Sequence, residues 1–137
     1  MKRAMLCAVC AAVGFVMAVP VSAQSAKPVV LKGEIPFAFV SGSRTLPAGE
    51  YTIEIGSNGI HFFDANQRPV QAMFSNPPER NDNEGQPRLV FRQYGDQHFL
   101  SQIITRGSSV DFPTSRTEHH LQVSLSAEED TLTIAMR

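Results

Sequence analysis

The sequence predicts an all-β protein: an antiparallel meander of about seven strands forming a small barrel or sandwich, with at most one short helix near 114–125. Three observations predict it. Apolar residues recur at every second position in one run after another, which is strand spacing. Turn-forming residues interrupt those runs at intervals of roughly 8–12 residues. The connecting loops are short enough to make sequential strands antiparallel neighbours. The abundance of direct hairpins favours a barrel-like meander.

The chain opens with a segment of another kind. Lys2 and Arg3 precede an uncharged apolar run from Ala4 to Val19, which Pro20 ends. Val21-Ser22-Ala23 then places small side chains next to the bond Ala23–Gln24. A charged start, an apolar middle and a small-residue exit make a secretory signal peptide over 1–23, cleaved after Ala23. A retained membrane anchor is the alternative, but the run is short for a span of about 20 residues and meets a cleavage site directly. Cys10 lacks a lipoprotein context, so Cys7 and Cys10 are apolar residues of the signal. The exported chain would then hold 114 of the 137 residues and no cysteine. Disulfides, thiolate–zinc sites and thiol nucleophiles are excluded from it, and stability must come from packing.

Residues 24–28 (QSAKP) read as a flexible leader, and 29–137 as a single β domain. Val29 and Leu31, then Ile35, Phe37 and Phe39, alternate; Pro36 among them marks an edge strand or a bulge. Ser41-Gly42-Ser43 and Leu46-Pro47-Ala48-Gly49 are turns. Glu50–Ile55 is a strand with Tyr51, Ile53 and Ile55 on one face. Gly56–Gly59 closes a hairpin into Ile60–Phe63, and Asp64–Gln67 closes the next into Arg68–Phe74. Residues 75–87 (SNPPERNDNEGQP) form a long polar surface loop.

Arg88–Tyr94 and Gln97–Thr105 flank Gly95-Asp96, a two-residue hairpin loop that sets Phe91 opposite Leu100 and Arg92 opposite Phe99. Plain alternation puts Leu89, Phe91 and Leu100 on one face and Val90, Phe99 and Ile103 on the other. Arg106–Thr114 is turn-rich. Thr114–Ser126 is ambiguous: Ser115 and Glu118 have capping-box spacing, whereas Leu121, Val123 and Leu125 alternate like a strand. Thr131–Met136 is the last strand.

Without Lys2 and Arg3 the exported chain has 10 basic and 13 acidic residues and no basic stripe. Such a chain is a poor partner for nucleic acid, and after signal cleavage no membrane span is expected.

Two segments carry a resemblance. The first is Ile35-Pro36-Phe37-Ala38-Phe39 followed by Leu46-Pro47-Ala48-Gly49-Glu50-Tyr51-Thr52. The second runs from Leu89 through Tyr94-Gly95-Asp96 to Phe99-Leu100 and on to Ile103. Together they resemble a family of small exported bacterial proteins of unknown function, which pair an IPFxF…LPAGxYT opening with an LxFxxYGDxxFL hairpin. The resemblance implies export and extends over most of the chain after the signal. It brings no catalytic or binding residues.

Chemistry is sparse. His119 and His120 are adjacent, and neither strand nor helix makes adjacent residues a clamp. His61 and His98 lie elsewhere, so no metal site and no cofactor are expected. Glu118, Asp111 and Glu50 are the candidate carboxylates for acid–base work, and no Gly-x-Ser-x-Gly elbow occurs. The candidate binding residues are Tyr94, Phe99, His61 and Phe63, some of which alternation places opposite the core face; the alternative is that both faces of the sheet are covered, as in a sandwich or closed barrel. The leading expectation is a non-catalytic binding or structural protein of the cell envelope, periplasmic or released, with an envelope or extracellular partner. One alternative is a small hydrolase using Glu118 and a histidine, which needs the two within hydrogen-bond reach. The other is a lipocalin-like carrier of a small apolar ligand, which needs an enclosed apolar cavity.

Overall fold

The computed structural model describes residues 27–74, 78–125 and 130–137. The expected signal peptide and residues 24–26 of the leader lie outside the described residues, as do 75–77 of the polar loop and 126–129. In chain order the elements are β1 Val29–Ile35, β2 Phe39–Ser41, β3 Arg44–Leu46, β4 Gly49–Gly56, β5 Gly59–Phe63, β6 Pro69–Met73, β7 Glu79–Arg80, β8 Arg88–Tyr94, β9 Gln97–Thr105, β10 Ser108–Asp111, α1 Arg116–Leu125 and β11 Asp130–Ala135.

The fold is all-β, in two sheets rather than a closed barrel. The first sheet has the order β1-β4-β5-β6, every pair antiparallel. The second runs β11-β8-β9-β10-β7, with β2 joining β9 in parallel at Val40 and Phe99, and β3 pairing β2. The barrel-like meander favoured by the hairpins does not close, because the chain changes sheets at Pro36–Ala38. Pro36 has no N–H to give a ladder, and β1 stops at Ile35. Phe39 then starts a strand of the second sheet.

The inward faces fill the space between the sheets. Ile35, Ile53, Ile60, Phe62, Leu89, Phe91 and Ile103 are fully buried there, around Phe39. The Phe39 ring meets Tyr51 and Phe91 edge-on, at 5.6 and 5.4 Å. Aromatic pairs in this geometry add about 0.5–1.5 kcal/mol beyond their buried area. Phe37 stacks on His98 at 4.0 Å and meets Phe91 edge-on. The Leu46–Tyr51 turn is tied by the Tyr51 hydroxyl, which donates to the Pro47 carbonyl at 2.6 Å. Burial, and secondarily the Asp64 charge, pushes the Tyr51 phenol above its ordinary pKa.

The hairpin around Gly95-Asp96 has the expected register, with Phe91 opposite Leu100 and Arg92 opposite Phe99. Further along, the register shifts. Val90 pairs with Gln102 while Phe91 pairs with Leu100, so Ser101 is the extra residue of a β-bulge. Its carbonyl accepts the Phe112 N–H instead. The bulge corrects the alternation read from sequence: Ile103 pairs with Leu89 and enters the core, not the face of Phe99. Two short strands also arise where only loop was expected. Ser108 and Ser109 of β10 pair with Arg80 and Glu79 of β7.

The two sheets meet along two seams. At one, the chain leaves β11 and crosses over: Met136 N–H donates to Pro87, and Arg137 exchanges two hydrogen bonds with Lys32 of β1, at 2.7 and 2.9 Å. A β carbon added at Gly33 would lie 2.5 Å from the Met136 sulfur, so Gly33 is the gap that admits that side chain. At the other seam, β6 faces the β2–β3 hairpin through side chains alone. Arg44 donates to the Val70 carbonyl, and Gln71 Nε2 to the Ser41 carbonyl. The Ser41 hydroxyl also donates to the Met73 sulfur.

Candidate functional site

The segment 114–125 resolves in favour of the helix. Ser115 Oγ accepts the Glu118 N–H, and Glu118 Oε2 accepts the Ser115 N–H, so two of the free donors of the first turn are satisfied. The helix lies on the outer face of the second sheet. Among its described side chains, the one fully buried is an acid: Glu118 is 1% exposed. Arg92 of β8 reaches up from the sheet, giving Nε to Glu118 Oε1 at 2.5 Å and Nη2 to Oε2 at 3.3 Å. The same Nη2 donates to the Phe112 carbonyl. One guanidinium therefore ties the helix and the segment before it to the sheet.

Among the four aromatic and histidine candidates, the structure separates two pairs. Tyr94 and Phe99 lie on the outer face of the second sheet and pack edge-on at 5.9 Å. Each is only 2% exposed, so this outer face is covered at both residues. The cover that buries this face is part of the same chain. His61 and Phe63 are half-buried on the outer face of the first sheet, alternate to the buried Ile60 and Phe62. His61 sits opposite Glu54, and Phe63 opposite Thr52. The two pairs do not converge.

Glu118 does not form the acid–base pair considered for it. Both its oxygens are held by Arg92 and Ser115, and its neighbours His119 and His120 are exposed on the helix surface. Among the described residues, no group of three His, Cys, Asp or Glu side chains is placed to hold a metal ion. The space a carrier would need between the sheets is taken by the core residues themselves.

What the structure does bring together is a cleft at the seam bridged by side chains. It has a volume of about 400 Å³, at the lower end of the range for ligand sites. It is walled by Met73, Phe74, Val40, Phe99, Leu100 and Phe112. Ser115 and Glu118 close one end. The single charge of the lining, Glu118, is neutralised by Arg92, so the cleft presents apolar and neutral polar surface. Phe74 at its rim is 96% exposed, an aromatic left open to water. Gln71 Oε1, beneath it, is buried without a hydrogen-bond partner.

Of the sequence candidates, Phe99 among the binding residues and Glu118 among the carboxylates contribute to this cleft. Phe74 carried one local signal, a bulky aromatic between a strand and a polar loop. Val40 and Phe112 carried none, because residues far apart in the chain build the wall. No helix among the described residues is long and apolar enough to cross a membrane. No protein-family model, curated protein or solved structure matches the chain.

Proposed function

We propose that this is an exported, non-catalytic binding protein of the cell envelope, and that the seam cleft is its binding site. The observation that carries the reading is the pairing of a neutral, apolar-walled cleft with a fully exposed aromatic at its rim. Exposing Phe74 has a free-energy cost that partner binding would recover. The signal-like N-terminus and the cysteine-free remainder support export. The likeness to small exported bacterial proteins agrees with it, since the recurring residues have structural tasks: Phe37 and Phe39 in the core, Tyr51 on its turn, Tyr94 against Phe99. The carboxylate best suited to catalysis is bound up in a structural ion pair.

The test is retention of the purified exported protein on envelope fractions of its host. The wild type is expected to be retained, and Phe74→Ser to be retained severalfold less. Its melting temperature should be unchanged within about 2 °C, because surface substitutions cost under about 0.5 kcal/mol. Failure of the wild type to bind any fraction would overturn the proposal.

A further inference from the structure

The cleft runs along a strand edge that no strand covers among the described residues. β6 is the last strand of the first sheet and, among the described residues, pairs only with β5. Its backbone direction is set by Met73, whose carbonyl oxygen points at Gly59 of β5. In an antiparallel ladder, alternate residues bond to opposite sides. The N–H and C=O of Ala72 therefore point away from β5, towards the cleft, and the N–H of Phe74 points the same way. One turn earlier the edge is stoppered, because Arg44 binds the Val70 carbonyl. At the other edge of this sheet, Arg137 pairs with Lys32. Among the described residues, the stretch Ala72–Phe74 has no such cover, and Ala72 itself is exposed.

We propose, building on the binding role above, that the cleft takes an extended segment of another polypeptide, which adds to the edge of β6. The occupant is argued from the edge itself. Three backbone groups in line, at Ala72 and Phe74, are matched by another backbone in strand conformation. The residue opposite Ala72 turns its side chain to the outer face. Its two neighbours, opposite Gln71 and Met73, turn theirs into the cleft. The cleft walls there are Met73, Leu100 and Phe112, with no free charge, so those two side chains are apolar and uncharged. Phe74 closes over the segment from the rim.

The probe is the blocked pentapeptide acetyl-Thr-Leu-Thr-Leu-Thr-amide, titrated into the purified exported protein and followed by backbone amide resonances. Saturable shifts are expected at Ala72 and Phe74 and along 112–115. Ala72→Pro removes the outward N–H and leaves the bonds to β5 in place, because proline is tolerated on the solvent side of an edge strand. It should weaken binding roughly tenfold. A peptide N-methylated at its central threonine should lose affinity similarly on the unaltered protein, which covers the case of a variant that folds poorly. The proposal is overturned by equal affinity for the methylated peptide, by shifts confined to the His61–Phe63 face, or by no saturable shift. It is also overturned if the same amides shift on self-association without peptide, which would make a second copy the occupant. If Ala72→Pro keeps full retention on envelope fractions, the binding role stands and the strand-addition mode falls.

Discussion

Arg92→Ala is expected to lower stability by about 3 kcal/mol, the low end of the cost of breaking a buried ion pair from one side. The loss is large because of what remains. Glu118, 1% exposed, would be left under the helix without its cation, with the Ser115 N–H as its remaining partner. The Arg92 side chain is itself 17% exposed, which is why the low end of the range applies. Two further consequences separate this site from an ordinary packing defect. Glu118→Gln should cost less, since an amide can still accept the Ser115 N–H and the guanidinium can turn towards water. The double replacement Arg92→Met with Glu118→Leu should cost much less than the sum of Arg92→Met and Glu118→Leu made singly, because no charge is left buried. Urea unfolding of these proteins checks all of this, and additive losses across the Arg92→Met and Glu118→Leu cycle would show that the pair is not coupled. The same guanidinium holds the Phe112 carbonyl, so Arg92→Ala should also loosen one wall of the cleft and reduce envelope retention.

Gly59→Ala is the second large effect, at about 3 kcal/mol or more. Gly59 has φ of +111°, a conformation that costs a side-chain-bearing residue roughly 1–3 kcal/mol. A β carbon there would also fall well inside contact with the carbonyl oxygen of Met73, a backbone atom that cannot rotate aside. Relief requires β6 to move off β5. Gly95 makes a useful contrast: it also has positive φ, at 58°, but a β carbon there meets nothing within 4 Å. Gly95→Ala should therefore cost only about 1–2 kcal/mol, through backbone strain alone. Comparable losses at both glycines, measured by chemical denaturation, would contradict the role given to the Met73 carbonyl.

Much of this architecture was legible in the residues, and the reason is local. Gly95-Asp96 between two apolar arms fixes a hairpin by turn geometry, so the pairing of Phe91 with Leu100 needed no tertiary information. Ser115 and Glu118 formed the reciprocal cap that their spacing suggested, and this decided the ambiguous segment for helix over strand. What the residues left open depends on distant parts of the chain. The bulge at Ser101 is stabilised by Phe112, and it reversed the side on which Ile103 lies. The helix is held to the sheet by a charge pair, not by a full apolar stripe, and the burial of Tyr94 and Phe99 on that face does not follow from their own alternation. The cleft is less legible still. Val40, Met73, Leu100 and Phe112 come from four separate stretches, and periodicity reports only which face of a strand is apolar. It does not report which edge is left uncovered.

The seam cleft as the binding site is the claim on which the functional reading rests. Backbone hydrogen exchange of the purified protein over residues 24–137, alone and with any envelope fraction found to retain it, tests it most directly. Slowed exchange is predicted at the amides of Ala72 and Phe74 and over 112–118, with no change at His61 and Phe63. Protection centred on the His61–Phe63 face, or retention with no added protection at Ala72 and Phe74, would contradict it.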